Sequence, residues 1–185
     1  MEFHNIRFIV VRAGAAEHET VDDEARLLTP IGIAKIGRLR DAVHAEVDGR
    51  NTQVIVSPAT RAFHTASLLL PPKGASSVRE LYYPDNVEDR TAIRRVCNRA
   101  CTPLLRVLEE IPGPMLKLGF SAVAAIRGIT GCQTNAVLIV THNPFTGIVG
   151  IGLNGAHAER LLHVGLNPGE GFVLDGERFA MLNHH

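Results

Sequence analysis

Cysteine is scarce, and its pattern argues against cross-links. The chain has three, Cys97, Cys101 and Cys132, an odd number without the spaced pairs of a zinc site. Reduced thiols are therefore expected rather than a disulfide framework, and Cys97 and Cys101, one helical turn apart, are expected to pack in a core. Charge of one sign is not in excess either. The 19 basic residues balance the 19 acidic ones, and no basic run is long enough to track a nucleic-acid backbone, so nucleic acid is not an expected partner. The longest apolar runs are only strand-sized, and the N-terminus, interrupted by His4 and Arg7, has no secretory apolar region. A membrane partner is not expected, and the cytoplasm is the expected compartment. The nine histidines form no ligand-spaced cluster, so no metal and no other cofactor is expected. Internal repeats and low-complexity linkers are absent too. With 185 residues, 45% of them hydrophobic, the expectation is a single domain over 1–185 around one sizeable core.

What is present is organised around the stretch from Phe8 to Glu17. Ile6 to Val11 is apolar at nearly every position, which predicts a strand covered on both faces in a parallel sheet. It delivers Arg12 to a tight turn, where Gly14 lets the backbone pass a point at which a side chain would collide with a ligand. Glu17 to Leu28 is charged and irregular, a surface loop lying over that turn. Thr29-Pro30 then opens a helix, with threonine as cap and proline at the first helical position. Ile36, Leu39, Val43 and Val47 carry it to Asp48-Gly49.

Gln53 to Val56 predicts a second buried strand. Ser57-Pro58 repeats the capping chemistry and starts a helix that bears Arg61 and stops at Pro71-Pro72. Ser77 to Leu81 is a candidate third strand, followed by a loop with Tyr82, Tyr83, Pro84 and Asp85. Val87 to about Glu110 predicts a helix kinked at Pro103 and broken by Pro112-Gly-Pro114, and Met115 to Ile129 another with Gly119 as a weak point. Ala136 to Val140 is the most hydrophobic strand. It ends in Thr141-His142-Asn143-Pro144, where Asn143 is expected to cap the next helix. A helix over Ala156 to His163 and a hairpin of Gly171 to Leu174 and Arg178 to Leu182 around Asp175-Gly176 complete the chain. The terminal His184-His185 reads as a tag remnant or a native tail.

Strands alternating with helices predict an α/β fold, a mostly parallel open sheet flanked by helices with right-handed crossovers. Ligands of such sheets bind beyond the carboxyl ends of the strands. That rule gathers Arg12, Ser57, Arg61 and His142 on one edge. Two guanidinium groups, an imidazole and helix N-terminal amides there predict a pocket that seeks anions, with phosphate its natural occupant. The loop from Tyr82 to Asp89 and the glycine-rich stretch after Pro144 are expected to shape its mouth.

Four stretches also carry a family resemblance: Arg12-Ala-Gly-Ala-Ala16, Leu28-Thr-Pro-Ile-Gly32, Ser57-Pro-Ala-Thr-Arg61 with Thr65-Ala66, and Thr141-His-Asn-Pro144. Together they resemble the histidine phosphatase superfamily, also called phosphoglycerate mutase-like, and most closely its small phosphohistidine phosphatase, SixA-like, branch. The resemblance implies hydrolysis of a phosphomonoester or phosphohistidine through a phosphohistidine intermediate, on a phosphorylated small molecule or a phosphohistidine protein. In the family the first motif reads Arg-His-Gly and its histidine is the nucleophile. Here that position is Ala13, while Arg12, Arg61 and His142 match the remaining catalytic residues, and Gly14 and Ser57 join them as phosphate-binding candidates. A carboxylic acid usually protonates the leaving oxygen, and the candidates are Glu80, Asp85 and Glu17.

Alanine at position 13 has two readings. One is an engineered substitution that makes a normal phosphatase inert, favoured because the phosphate ligands are retained. The other is a natural pseudophosphatase serving as a phosphate-ligand binding module. A phosphoglycerate mutase-type phosphotransferase is a third alternative, but such mutases generally carry longer middle insertions. Glycines at 147, 150, 152 and 155 suggest a nucleotide-binding loop, yet they do not form G-x-G-x-x-G after a strand and no P-loop lysine motif exists.

Overall fold

The computed structural model describes residues 5–17, 23–71, 74–97 and 102–182. Cys101, Pro72 and the His184-His185 pair lie outside the described residues. The first strand, β1 (Arg7–Arg12), has its middle four residues buried. Phe8 and Val10 point into one hydrophobic layer, and Ile9 and Val11 into another. The alternation of side chains along a strand thus serves two cores, which is why the run is apolar throughout.

Helix α1 (Pro30–Val47) begins as its sequence requires. Thr29 Oγ1 accepts from the Gly32 amide at 3.1 Å, and Pro30 takes a position whose missing N–H has no intrahelical partner to lose. Then come β2 (Thr52–Val56), α2 (Thr60–Leu69), β3 (Ser76–Ser77), α3 (Val87–Cys97), α4 (Leu104–Glu110) and α5 (Pro112–Ile129). The chain continues through β4 (Ala136–Thr141), α6 (Phe145–Leu153), α7 (Ala158–His163), β5 (Gly171–Asp175) and β6 (Arg178–Met181).

One six-stranded sheet results, in the order β3-β2-β4-β1-β5-β6. The first four are mutually parallel. The terminal hairpin, turning at Gly176 with φ of 56°, adds β5 antiparallel to β1 and β6 antiparallel to β5. α1 and α2 supply Ile36, Leu39, Val43, Ala62, Ala66 and Leu69 to one face of the sheet. α3 to α7 cover the other through Ile93, Val107, Met115, Ile126, Val149 and Leu161.

Local expectations are corrected at four points. The third strand is only Ser76–Ser77; Arg79–Leu81 is a 3₁₀ turn, because Thr141 Oγ1 draws in the Leu81 carbonyl at 2.8 Å. The helix expected from Val87 to Glu110 is two helices, and Pro103 stands immediately before α4, where a residue without an N–H is tolerated. Pro112 and Pro114 lie inside the first turn of α5 instead of ahead of it, since the first amides of a helix need no intrahelical acceptor. Ser57 and Asn143 do not cap their helices. α2 starts after Ala59 without a side-chain cap, and the Asn143 amide donates to the Thr102 carbonyl at 3.3 Å.

The glycines of α6 serve packing, whereas a β-carbon on Gly155 would meet nothing within 4 Å. A methyl group on Gly152 would meet Val123 Cγ2 at 2.5 Å, and one on Gly150 would meet Phe172 Cζ at 2.9 Å, so α6 lies close against α5 and β5. Gly119, expected as a weak point, is the other half of this contact, 2.4 Å from Ile148 Cγ1 in the same sense. Gly32 is tighter still, because a β-carbon there would stand 2.3 Å from the Ala15 carbonyl oxygen. We expect Gly32→Ala to destabilise the chain by about 1–3 kcal/mol through overpacking against rigid backbone. Gly37→Ala, on the same helix with nothing within 4 Å, should stabilise by about 0.5–1 kcal/mol through helix propensity. Urea denaturation of the two variants checks both signs.

Candidate active site

Three strand ends emerge at one level. Arg12 is paired with Thr141 and Val56 with Val140, and the ladder runs one step further through Ala13 N to Thr141 O at 2.8 Å and Ser57 N to Val140 O at 2.9 Å. Ala13, Ser57 and His142 therefore leave the sheet side by side. The turn after β1 is clamped from both flanking helices. The Gly14 amide donates to Thr65 Oγ1 at 3.1 Å, that hydroxyl donates to the Arg61 carbonyl at 2.7 Å, and the Thr29 amide donates to the Ala15 carbonyl at 2.9 Å.

Above these ends lies a cavity of about 370 Å³, within the range of about 300–1,000 Å³ in which single small ligands are held. Arg12, Ala13, Gly14, Arg61 and His142 all line it. Ser57 is fully buried outside the lining, with its Oγ 2.9 Å from His142 Nε2. Of the two stretches expected at the mouth, the loop after Leu81 contributes Tyr83, whereas the glycines of α6 are turned to helix packing. The three carboxylates proposed from sequence are elsewhere. Glu17 is exposed, Glu80 sits in the 3₁₀ turn, and Asp85 is exposed and paired with Arg79 at 2.5 Å; none of them lines the cavity.

Sequence reasoning misses five lining residues: Asp23, Arg26, Arg94, Cys97 and Pro168. Asp23 and Arg26 belong to the segment read as a surface loop, and its high charge was the available signal. Arg94 and Cys97 share a face of α3 at i, i+3, a pattern indistinguishable in sequence from a solvated edge. Cys97 also packs against the core, as expected for it.

Asp23 is the hub of the wall. Its Oδ1 accepts from Arg26 Nη1 at 2.7 Å, its Oδ2 accepts from Arg61 Nη2 at 3.3 Å and from the Tyr82 hydroxyl, and Arg94 Nη2 stands 3.5 Å away. Its backbone carbonyl accepts from Arg61 Nη1 at 2.5 Å. Burial works to raise the Asp23 pKa, but the Tyr82 and Arg26 hydrogen bonds and the charges of Arg61 and Arg26 outweigh it and hold the carboxyl well below the usual range. Burial, then Asp23, pushes the Tyr82 phenol up. Burial pushes Cys97 up to about 12 despite Arg12, and Tyr83 up to about 12. Arg12 itself is oriented by the Leu166 carbonyl.

His142 is buried, with the Tyr82 ring edge-on at 5.5 Å. Burial first, and the Arg61 charge second, lower its pKa well below the usual value, so the ring is neutral at neutral pH. The neutral ring carries one N–H, and its Nε2 shares a hydrogen bond with the Ser57 hydroxyl. The cavity thus combines four guanidinium groups, from Arg12, Arg26, Arg61 and Arg94, with one carboxylate among the described residues. That balance favours an anionic ligand.

The lowered pKa of His142 has a consequence for folding. Between its usual value of 6.5 and its folded value, the unfolded chain binds a proton that the folded chain does not, so stability falls as pH drops below about 6.5. We expect His142→Asn to remove up to about 1.4 kcal/mol per pH unit of that slope, read by urea denaturation at several pH values between 7 and 5. Identical slopes in the two proteins would contradict a neutral buried ring.

No family model and no curated protein matches the chain. Solved structures do. The protein histidine phosphatase SixA complexed with tungstate is 18% identical, covers 95% of this chain and 94% of its own, and superposes with a TM-score of 0.55. Phosphoglycerate mutase from Bacillus anthracis is 13% identical, covering 95% of this chain and 91% of its own, with a TM-score of 0.59. A phosphoserine phosphatase variant from Entamoeba histolytica, with alanine in place of a histidine and in complex with phosphoserine, is 14% identical, covering 96% of this chain and 95% of its own, with a TM-score of 0.59. The chain therefore shares the fold of these two phosphatases and this mutase.

Proposed function

We propose that this chain is a phosphatase of the histidine phosphatase type whose covalent step is blocked at position 13, and that as written it binds phosphorylated ligands without turning them over. The observation that carries the reading is the convergence of Arg12, Arg61 and His142 on the cavity where Ala13 stands. In the complete mechanism an imidazole at position 13 would attack phosphorus in line, while the guanidinium groups neutralise the equatorial oxygens and His142 donates to one of them. Alanine removes the attacking atom and leaves the groups that bind oxygen. A phosphoserine complex of a histidine-to-alanine variant on the same fold supports the reading that this fold can hold a phosphorylated ligand after loss of a histidine.

The carboxylates also favour one substrate class. Asp23 is the carboxylate in the lining, and its lowered pKa keeps it ionised at neutral pH. A substrate that brings its own leaving-group proton fits this cavity. Phosphohistidine, whose ring can carry a proton on the nitrogen not bonded to phosphorus and so leave as neutral imidazole, is such a substrate. Cys97, protonated at neutral pH, does not replace the missing nucleophile.

Two outcomes follow. Calorimetric titration of tungstate or phosphate into the chain as written should show binding that weakens at least about tenfold in Arg61→Ala, with no mass gain of a phosphoryl group after incubation with a phospho-donor. Ala13→His should release phosphate from p-nitrophenyl phosphate without added metal. Because a general acid contributes about 10²–10⁴-fold, the same variant should be at least about a hundredfold slower on phosphoserine. Comparable rates on the two substrates would reveal a proton donor that this reading lacks.

A further inference from the structure

Asp23 stands in an unusual position for an anion-binding cavity. A pocket that collects Arg12, Arg26, Arg61 and Arg94 would attract polyanions, yet the wall made by Arg26, Arg61 and Arg94 is turned onto a carboxylate of the chain itself. The contact is built. The Asp23 side chain is 15% exposed, Arg61 9% and Arg26 18%. The Tyr82 hydroxyl donates to the carboxylate from within the fold, and Tyr82 is itself buried. Elsewhere in the lining Arg12, oriented by the Leu166 carbonyl, and His142, held by Ser57, stand with Ala13. The cavity is therefore electrostatically uneven. Along the Asp23 wall the cations are arranged round an internal anion, and a ligand that meets them meets that anion too.

We propose that Asp23 is a specificity-determining residue that occupies the place of a second anionic group, so that the cavity accepts one phosphoryl group and discriminates against ligands carrying two. The inference rests on the reading of the cavity as a phosphate site. It follows from charge and geometry together. A first phosphoryl group beside Ala13 meets Arg12, and shares Arg61 with Asp23. A second anionic group, directed at Arg26 and Arg94, must displace Asp23 or sit beside its charge. Like charges at contact distance in a partly buried site repel strongly. Arg61 is held by the Asp23 backbone carbonyl as well, so neutralising the side chain leaves that guanidinium oriented.

The test uses orthophosphate and pyrophosphate as probes, titrated by calorimetry at fixed ionic strength into the chain as written, Asp23→Asn and Tyr82→Phe. Circular dichroism and thermal melting confirm that each variant is folded. Asp23→Asn should tighten orthophosphate about threefold and pyrophosphate about tenfold or more, raising the preference for the doubly anionic probe. Tyr82→Phe, which removes only the hydroxyl that anchors the carboxylate, should shift the preference in the same direction by less. If Asp23→Asn weakens both probes, or leaves their ratio unchanged, Asp23 is a positioning residue for Arg61 and the proposal is wrong. If the chain as written and both variants bind neither probe, the phosphate reading fails and this inference fails with it. Binding of pyrophosphate only after Asp23→Asn would be its strongest support.

Discussion

β1 and β2 lie on either side of β4, and their last residues are in register with it, Arg12 opposite Thr141 and Val56 opposite Val140. Parallel pairing brings carboxyl ends to the same edge, and one further ladder bond on each side carries Ala13 and Ser57 just past it. A slip of one residue would turn Ile9 and Val11 toward the wrong layer and exchange the two cores. The hydrophobic pattern of β1 therefore holds the register, and the register holds the cavity. The Gly14 amide bond to Thr65 and the close approach of Gly32 to Ala15 then fix how the chain leaves β1.

Much of the frame was legible because β1 and β4 announce themselves as apolar runs and the start of α1 combines a cap with proline at Thr29-Pro30. Strand-end logic also placed Arg12, Arg61 and His142 around one cavity. What escaped depends on contacts between distant parts of the chain. Ser57 looks like a cap, but its hydroxyl is engaged by His142, eighty-five positions away. Asn143 looks like one too, but it satisfies the Thr102 carbonyl. The prolines at 112 and 114 look like a break, though helix first turns tolerate them. Asp23 was hidden for a different reason. A carboxylate in a charged loop reads as solvated until the fold brings Tyr82 and three guanidinium groups round it.

Burial favours the neutral form of the shifted groups in and around the cavity, and it prevails on all of them but one. It keeps His142 neutral, Tyr83 and Cys97 protonated, and Tyr82 undissociated. Asp23 alone stays charged against burial, because hydrogen bonds and neighbouring cations overcome it. The lining therefore presents fixed charges, four guanidinium groups and one ionised carboxylate, with no ready carboxylic acid among the described residues. The Gly14 amide is committed to Thr65, and a β-carbon there would meet Leu28 Cδ2 at 3.0 Å and Ile36 Cγ1 at 3.1 Å. The glycine therefore answers to packing against α1 and Leu28 ahead of it, where the sequence suggested a ligand.

The central claim is that the convergence of Arg12, Arg61 and His142 beside Ala13 forms an anion site. Anomalous diffraction from crystals soaked in tungstate tests it most directly. The account predicts a single strong tungsten peak in the cavity, within hydrogen-bonding distance of the Arg12 and Arg61 guanidinium groups and of the His142 ring. A cavity without a peak, while tungsten binds to surface arginines such as Arg38 or Arg127, would contradict it.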